Sequence, residues 1–444
     1  MISDASDEFP PTMAVGPSLQ KLRVAVVYGR MPLPMTRADQ KTVAHLLAYL
    51  SARGHAIDLF TLDTHEKTTD GMRQWLSERC RRVSVVPHGT VASLCGAVWA
   101  LLRGKPLQVG WFTNGRQIEI VRRALQATPY DVVYTYYVRS AEVVRGLSPV
   151  GTRNRPATFL AMQLSQALNA RRIARNATTF RDKLVYSIER RLLRRYEARV
   201  WRDFTRTVLI GRPDVEEIRT ACQDYGQPLI DNVLLCAHGV DTQRFHTSCE
   251  CEEPGSVVFS GVMGTNTNIQ AVTWFVKNCW ATVKGRAPGA RLVIVGRKPA
   301  PSIKAFAEAD PSIAVTGEVD DPACYIASAT VCINPVQACA GMQNKLIEYL
   351  ASAKAVVATP FANEGVGARP GEHLVEATAP AEFAEAVVAL LGDPMRRKKL
   401  GLAARKFIEQ HWTWEKLFER LESEMIDEAM KARGAPEQSP SRAA

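Results

Sequence analysis

The sequence predicts an α/β protein built from two doubly wound, Rossmann-like parallel sheets that face each other across a cleft. Three observations predict it. The β-branched run Leu22 to Tyr28 is followed by a helix-period stretch and a second run, Ile57 to Leu62, which together make a β-α-β unit. A second such series opens after Gly255 and carries five strand-like runs before Glu364. Between the two, Gln227 to Pro254 holds a short apolar run, a turn and the acidic stretch Cys249-Glu-Cys-Glu-Glu253, which suits a connection between domains.

Each element follows from local pattern. After Tyr28 a loop runs from Gly29 to Gln40, and Val43, Leu46, Leu47 and Leu50 then recur at helical spacing until Gly54 stops the helix. Further strands are expected at Val83 to Val86, Asp131 to Tyr134, Ala157 to Leu160 and Thr207 to Ile210. In the second half they are expected at Val257 to Phe259, Arg291 to Val295, Ile313 to Thr316, Thr330 to Asn334 and Ala355 to Thr359. The division that results is a loose tail over 1–20, a first domain over 21–245 and a second over 255–405. A helix over 406–428 returns towards the first domain, and a polar tail covers 429–444.

Charge is placed unevenly. Residues 1–210 hold 32 Lys and Arg against 16 Asp and Glu, whereas 211–444 hold 24 against 29. A basic half of this kind attracts phosphate, whether on nucleic acid, an anionic leaflet or a diphosphate-bearing acceptor. Nucleic acid is set aside, because the basic run Arg171 to Arg206 lacks interleaved stacking aromatics and carries no nucleic-acid-binding motif. The longest apolar stretch, Val91 to Leu102, ends at Arg103 and is too short to span a bilayer. No basic, apolar leader is seen at the start, and the ten cysteines follow no disulfide or zinc spacing, which points to reduced thiols in the cytoplasm.

In open α/β sheets ligands bind beyond the carboxyl ends of the strands, so function is sought at the strand-to-helix loops. Asn344 to Ser352 reads as a helix after the strand at Thr330 to Asn334, leaving N–H groups around Gly341 to Asn344 as donors for an anion. Lys345 and Glu348 stand three apart on one face of that helix, where a cation meets phosphate and a carboxylate accepts ribose hydroxyls. The same spacing also describes a surface ion pair. Arg297 and Lys298 follow the strand ending at Gly296, as phosphate ligands or as a solvated turn. Gly29 stands alone before Arg30, without the Gly-x-Gly-x-x-Gly of a dehydrogenase.

The stretches Phe259-Ser-Gly-Val-Met263, Asn268 to Phe275, Leu292-Val-Ile-Val-Gly296, Val315-Thr-Gly-Glu-Val-Asp320 and Gly341-Met-Gln-Asn-Lys-Leu-Ile-Glu348 resemble, in order and spacing, the donor domain of group 1 glycosyltransferases. Arg53-Gly-His55, Tyr130-Asp-Val-Val133 and His238-Gly-Val-Asp241 with Phe245 agree with it in the first half. The Gly341 to Lys345 segment and Leu102-Arg-Gly-Lys-Pro106 look closest to the sugar transferases of exosortase and exopolysaccharide systems. The resemblance implies the GT-B fold and transfer of a hexose-type sugar from a nucleoside-diphosphate donor to a lipid-linked or polysaccharide acceptor, at the inner face of the plasma membrane. It implies no metal or other cofactor. Lys345 and Arg297 would stabilise the departing diphosphate, and Glu348 would hold the ribose. Val319 would present backbone groups to the base, with Gly261, Gly341 and Asn344 completing the donor site.

Two departures from the family pattern stand out. Ala340 occupies the place of a glutamate that usually contacts the donor sugar, and Val262 to Asn266 replace an Arg-Lys pair. After the strand at Ala157 to Leu160, no His or Asp stands where a base is often found, leaving Gln163, Ser165 and Gln166 as acceptor contacts or, alternatively, as a helix cap. The resemblance leaves retention or inversion open. Two rival readings share the architecture: a non-hydrolysing nucleotide-sugar epimerase, and a silent glycan-binding scaffold. For membrane attachment, Ser93 to Trp111 alternates apolar residues with Arg103 and Lys105 and Phe180 to Arg206 pairs an apolar stripe with many cations, each like an interfacial helix; the first stripe either meets a membrane or faces the core, and the second is expected to pack on the sheet.

Overall fold

The computed structural model describes residues 9–10, 13, 15–35, 37–64, 69–146, 155–176, 180–246, 252–337 and 342–434. The chain divides into two compact units, the first Met1–Ala237 with Leu417–Ala444 and the second His238–Lys416.

Unit 1 is a seven-stranded parallel sheet in the order β3-β2-β1-β4-β5-β6-β7. Its strands are β1 (Arg23–Tyr28), β2 (Ala56–Asp63), β3 (Arg82–Pro87), β4 (Val132–Tyr136), β5 (Ala157–Gln163), β6 (Arg206–Leu209) and β7 (Val233–Leu235). The central strands β1, β4 and β5 are buried almost throughout because helices cover both faces, which explains why they read as continuous apolar runs. β7 lies in the stretch expected to be a connector. Three residues are too few to show a period, and the strand exists because it pairs with Thr207–Leu209 of β6.

The helix Trp414–Gly434 supplies a buried carboxylate to unit 1. Glu422 accepts hydrogen bonds from Tyr49 Oη at 2.7 Å and Arg53 Nε at 2.9 Å, and pairs with His55 Nε2 at 2.8 Å. All three partners flank the turn between the first helix and β2, so one side chain pins the returning helix to the first β-α-β unit.

Unit 2 is a six-stranded parallel sheet in the order β10-β9-β8-β11-β12-β13. Its strands are β8 (Ser256–Ser260), β9 (Arg291–Val295), β10 (Ile313–Gly317), β11 (Val331–Asn334), β12 (Val356–Ala358) and β13 (Val375–Glu376). The two-residue β13 was not legible as a run and owes its existence to β12. Tyr349 fixes the helix Asn344–Ala351 to the sheet: its hydroxyl accepts from Ser260 N at 2.7 Å and lies 3.0 Å from Ser260 Oγ. Burial raises its pKa well above the usual tyrosine range, so it stays a neutral hydroxyl.

Two helices of unit 1 leave large apolar residues outside. The helix Thr90–Leu102 turns its small residues inward: Ser93 and Ala100 are buried, and a Cβ on Gly96 would collide with the Gly110 backbone. Its large residues face outward, with Val91, Leu94, Val98, Leu101 and Leu102 all exposed, Leu102 at 82%. Arg103 and Lys105 lie over the Trp99 ring at 4.4 and 5.5 Å. The helix Phe180–Val200 corrects the expectation that its stripe packs on the sheet. Its second half buries Leu193, Tyr196 and Val200, but its first half exposes Phe180, Leu184, Val185 and Ile188. Glu189 joins the two regions by accepting from Leu107 N at 2.8 Å and Gln108 N at 3.1 Å. Among the described residues, no helix is long and apolar enough to cross a membrane.

Candidate functional site

The carboxyl ends of β8, β9 and β10 in unit 2 converge on glycines. Gly261 follows β8 with φ 152° and Gly296 follows β9 with φ 142°, backbone shapes that a side chain would strain. Gly261 N donates to Val295 O at 2.9 Å, and Gly296 N donates to Gly317 O at 3.1 Å. A Cβ on Gly296 would strike the Gly261 carbonyl, and one on Gly261 would lie 3.3 Å from Lys345 Nζ. The two glycines therefore let backbone and a lysine head come within reach of one point.

Lys345 reaches that point from the first turn of the helix Asn344–Ala351. Its Nζ lies 4.1 Å from the centre of the Phe259 ring and donates to Asn268 Oδ1 at 2.5 Å. Asn268, buried in the first turn of the helix Asn266–Phe275, donates in turn to Val262 O at 3.0 Å. The sequence motifs contain Phe259, Asn268 and Gly296 but assign them no role. A buried asparagine in a first turn is the signal that could have been used, yet its partner lies 77 residues away.

The other expected donor residues sit on this helix and on the segments that follow β9 and β10. Asn344 is exposed at the helix start, and Glu348 is half-buried one turn along from Lys345. Arg297 has an exposed side chain directly after Gly296, and its carbonyl accepts from Met263 N at 3.0 Å. Val319 is half-buried beyond β10 and packs on the unit 2 core. Gly341, like Ala340 and the Cys249 and Cys251 pair, lies outside the described residues.

The acceptor candidates fall at the carboxyl end of β5 in unit 1. Gln163 ends the strand with φ 66°, and its Oε1 is buried without a described partner. Ser165 and Gln166 are engaged within the fold. Ser165 Oγ accepts from Leu168 N at 3.1 Å as a cap and donates to Glu197 Oε2 at 2.8 Å. Glu197 Oε1 accepts from Gln166 N at 2.6 Å and Ala167 N at 3.3 Å. Burial pushes the Glu197 carboxyl up to about 8 against the pull of these bonds. The hydroxyl of Ser165 is thus committed to the helix start, which is the alternative its position had left open.

Residues 254–393 match the model of the family glycosyl transferases group 1. Unit 2 carries a group 1 glycosyltransferase domain. The fold of the whole chain is GT-B, as in three solved structures. The glycosyltransferase from Rickettsia africae superposes with a TM-score of 0.60 at 13% identity, over 93% of this chain and 99% of that one. HepE of Anabaena, solved in complex with UDP, gives 0.59 at 11% identity, over 91% and 100%. Sucrose-phosphate synthase from Thermosynechococcus elongatus gives 0.59 at 14%, over 92% and 100%. An uncharacterized protein in the cps region of Klebsiella pneumoniae is 20% identical over 406 residues, covering 89% of this chain and 98% of that protein. As an enzyme the chain is a glycosyltransferase, and the glycine-lined lysine lies inside the matched domain.

Proposed function

We propose that this glycosyltransferase moves a hexose-type sugar from a nucleoside-diphosphate donor to a lipid-linked or polysaccharide acceptor at the inner face of the plasma membrane. The observation that carries the donor reading is Lys345 Nζ, held by Phe259 and Asn268 over strand ends where two glycines bring the backbone close to it. A diphosphate would take up the ammonium in place of Asn268, with the N–H groups at the start of the helix Asn344–Ala351 and Arg297 as further donors. Glu348, one turn on, would accept the ribose hydroxyls, and Val319 would face the base. The UDP bound by HepE and the cps region of the Klebsiella protein support a nucleotide donor and a polysaccharide product. Gln163 is the polar group of β5 left for the acceptor. The deciding experiment measures which nucleotide sugar protects the protein from thermal unfolding and is then turned over with a lipid-linked acceptor. Failure of every nucleotide sugar to protect would refute the reading.

Cations and helix N–H groups do here the charge stabilisation that a divalent ion does elsewhere. Transfer is therefore expected to continue in EDTA, and a loss restored by magnesium or manganese would overturn this.

Membrane attachment would use the outward residues of the helix Thr90–Leu102 and the first half of Phe180–Val200, apolar rows set among Arg103, Arg181 and Lys183. Each Lys or Arg near an acidic leaflet contributes about 1 kcal/mol, which salt weakens. Sedimentation with anionic vesicles at low salt is expected to carry the protein down, and neutral vesicles are not. Leu94→Glu with Leu102→Glu should abolish this binding without lowering the unfolding temperature, since both side chains are already in water. Unchanged binding of the double variant would place the contact elsewhere.

A further inference from the structure

The amino ends of the unit 1 strands carry a charged cavity. It opens beside the starts of β1, β4 and β5, which are consecutive in the sheet, and its volume is about 590 Å³. Pockets for whole small molecules run from roughly 300 to 1,000 Å³, so this one has room for more than a lone phosphate.

Its cations come from distant parts of the chain. Lys21 and Arg23 lead into β1, Arg155 stands two residues before β5, and Arg433 arrives on the last turn of the helix Trp414–Gly434. Asp131, just before β4, is the single carboxylate of the lining. Both of its oxygens are engaged: Oδ2 accepts from Arg23 N at 2.8 Å, and Oδ1 takes the guanidinium of Arg433. Lys21, Arg23 and Arg155 therefore have no counter-charge within the lining. The Nη1 of Arg155 is buried without a described partner, which costs stability unless a ligand accepts from it. Neighbouring strands lie about 4.8 Å apart, so the cations of β1 and Arg155, on either side of the β4 strand, start from backbone about 10 Å apart. The wall between them is partly apolar. Ala429 is buried there, and Tyr130 commits its hydroxyl to Asp58 at 2.5 Å, which leaves its ring to the lining.

We propose that this cavity binds a small organic molecule with two phosphate groups, one met by Lys21 and Arg23 and the other by Arg155. A phosphate monoester carries about −1.5 to −2 charges at neutral pH, so two of them balance the three uncompensated cations. The spacing of those cations asks for two separate phosphates, and the apolar wall asks for a carbon skeleton joining them. Substrates of open sheets bind at the carboxyl ends of the strands, so a ligand held at the amino ends is an effector. Arg433 links it to the fold, because the same helix carries Glu422.

Fructose 1,6-bisphosphate serves as the probe and fructose 6-phosphate as its control, each titrated by calorimetry against the full chain at low salt. The bisphosphate is expected to bind about tenfold more tightly or better. Arg155→Gln should weaken it about tenfold, as loss of a charge-assisted contact does, and Lys21→Gln with Arg23→Gln should weaken it at least as much. That double variant alters exposed side chains and keeps the Arg23 N–H bond to Asp131, so it guards against misfolding of the Arg155 variant. Lys345→Ala should bind the probe as the parent does. Bisphosphate binding that is absent, no tighter than that of the monophosphate, unchanged in both sets of variants, or lost in Lys345→Ala overturns the proposal. Amide exchange at the end of the helix Trp414–Gly434 is expected to slow when the probe is bound, and exchange that saturating probe leaves unchanged would overturn the effector role.

Discussion

Lys345→Ala is expected to bring sugar transfer below detection and to weaken nucleoside-diphosphate binding by about 1.5 to 3 kcal/mol, the range of a charge-assisted hydrogen bond. The lysine is nearly irreplaceable because its surroundings are shaped around it. Phe259 supplies a ring face, Asn268 supplies a resting partner, and Gly261 leaves its head uncovered. Lys345→Arg keeps the charge but puts a planar fork where a compact ammonium fits, so it should recover only part of the binding. Glu348→Gln should weaken binding of a nucleoside diphosphate more than of inorganic diphosphate, because its partner is the ribose. Calorimetry with uridine and guanosine diphosphates checks all three variants. Undiminished binding by Lys345→Ala and Glu348→Gln would mean that this helix face does not hold the donor.

The largest stability loss is expected from Glu422→Ala, about 3 to 5 kcal/mol, the range for breaking a buried ion pair from one side. The substitution leaves Tyr49, Arg53 and His55 facing a hole in unit 1. Burial alone would raise the Glu422 pKa, but the hydrogen bonds from Tyr49, His55 and Arg53 outweigh it and hold the carboxyl below the usual glutamate range. A depressed carboxyl stabilises the fold above its unfolded pKa, and that contribution disappears as acid takes the pH down through the folded value. The parent should therefore lose stability below the ordinary glutamate range more steeply than Glu422→Gln does. Amide exchange in the helix Trp414–Gly434 and in Tyr49 to Ala56 reads the effect locally, which suits a chain of two units. Protection equal to the parent's in Glu422→Ala would show that the helix is held by its apolar contacts alone.

What was legible in the sequence follows from how far apart the interacting residues stand. β1, β4, β8 and β9 declare themselves because strands covered on both faces must be apolar throughout, and the spacing of Lys345 and Glu348 is local to one helix. Asn268 reaches Lys345, and Tyr28 meets Tyr136, only once the sheets have formed. The left-handed shape of Tyr137 leaves no mark in the residue types around it. Periodicity also fails to say which side of a helix finds a partner. Thr90–Leu102 has a small face and a large one, and it is the small face that goes inside, because Gly96 and Gly110 let two backbones meet.

The chain leaves unit 1 at Ala237 and re-enters it at Leu417. On the ribosome, unit 2 is therefore an uninterrupted passage, whereas the unit begun first is completed last. At synthesis rates of about 5 to 20 residues per second, making His238–Lys416 takes on the order of ten to forty seconds. Throughout that interval the nascent first sheet has emerged without the helix that carries Glu422, and Tyr49, Arg53 and His55 have no carboxylate to close on. Chaperone dependence should accordingly peak in this window, and a nascent chain stalled before Leu417 should be cut by protease in its first 237 residues while its second unit resists.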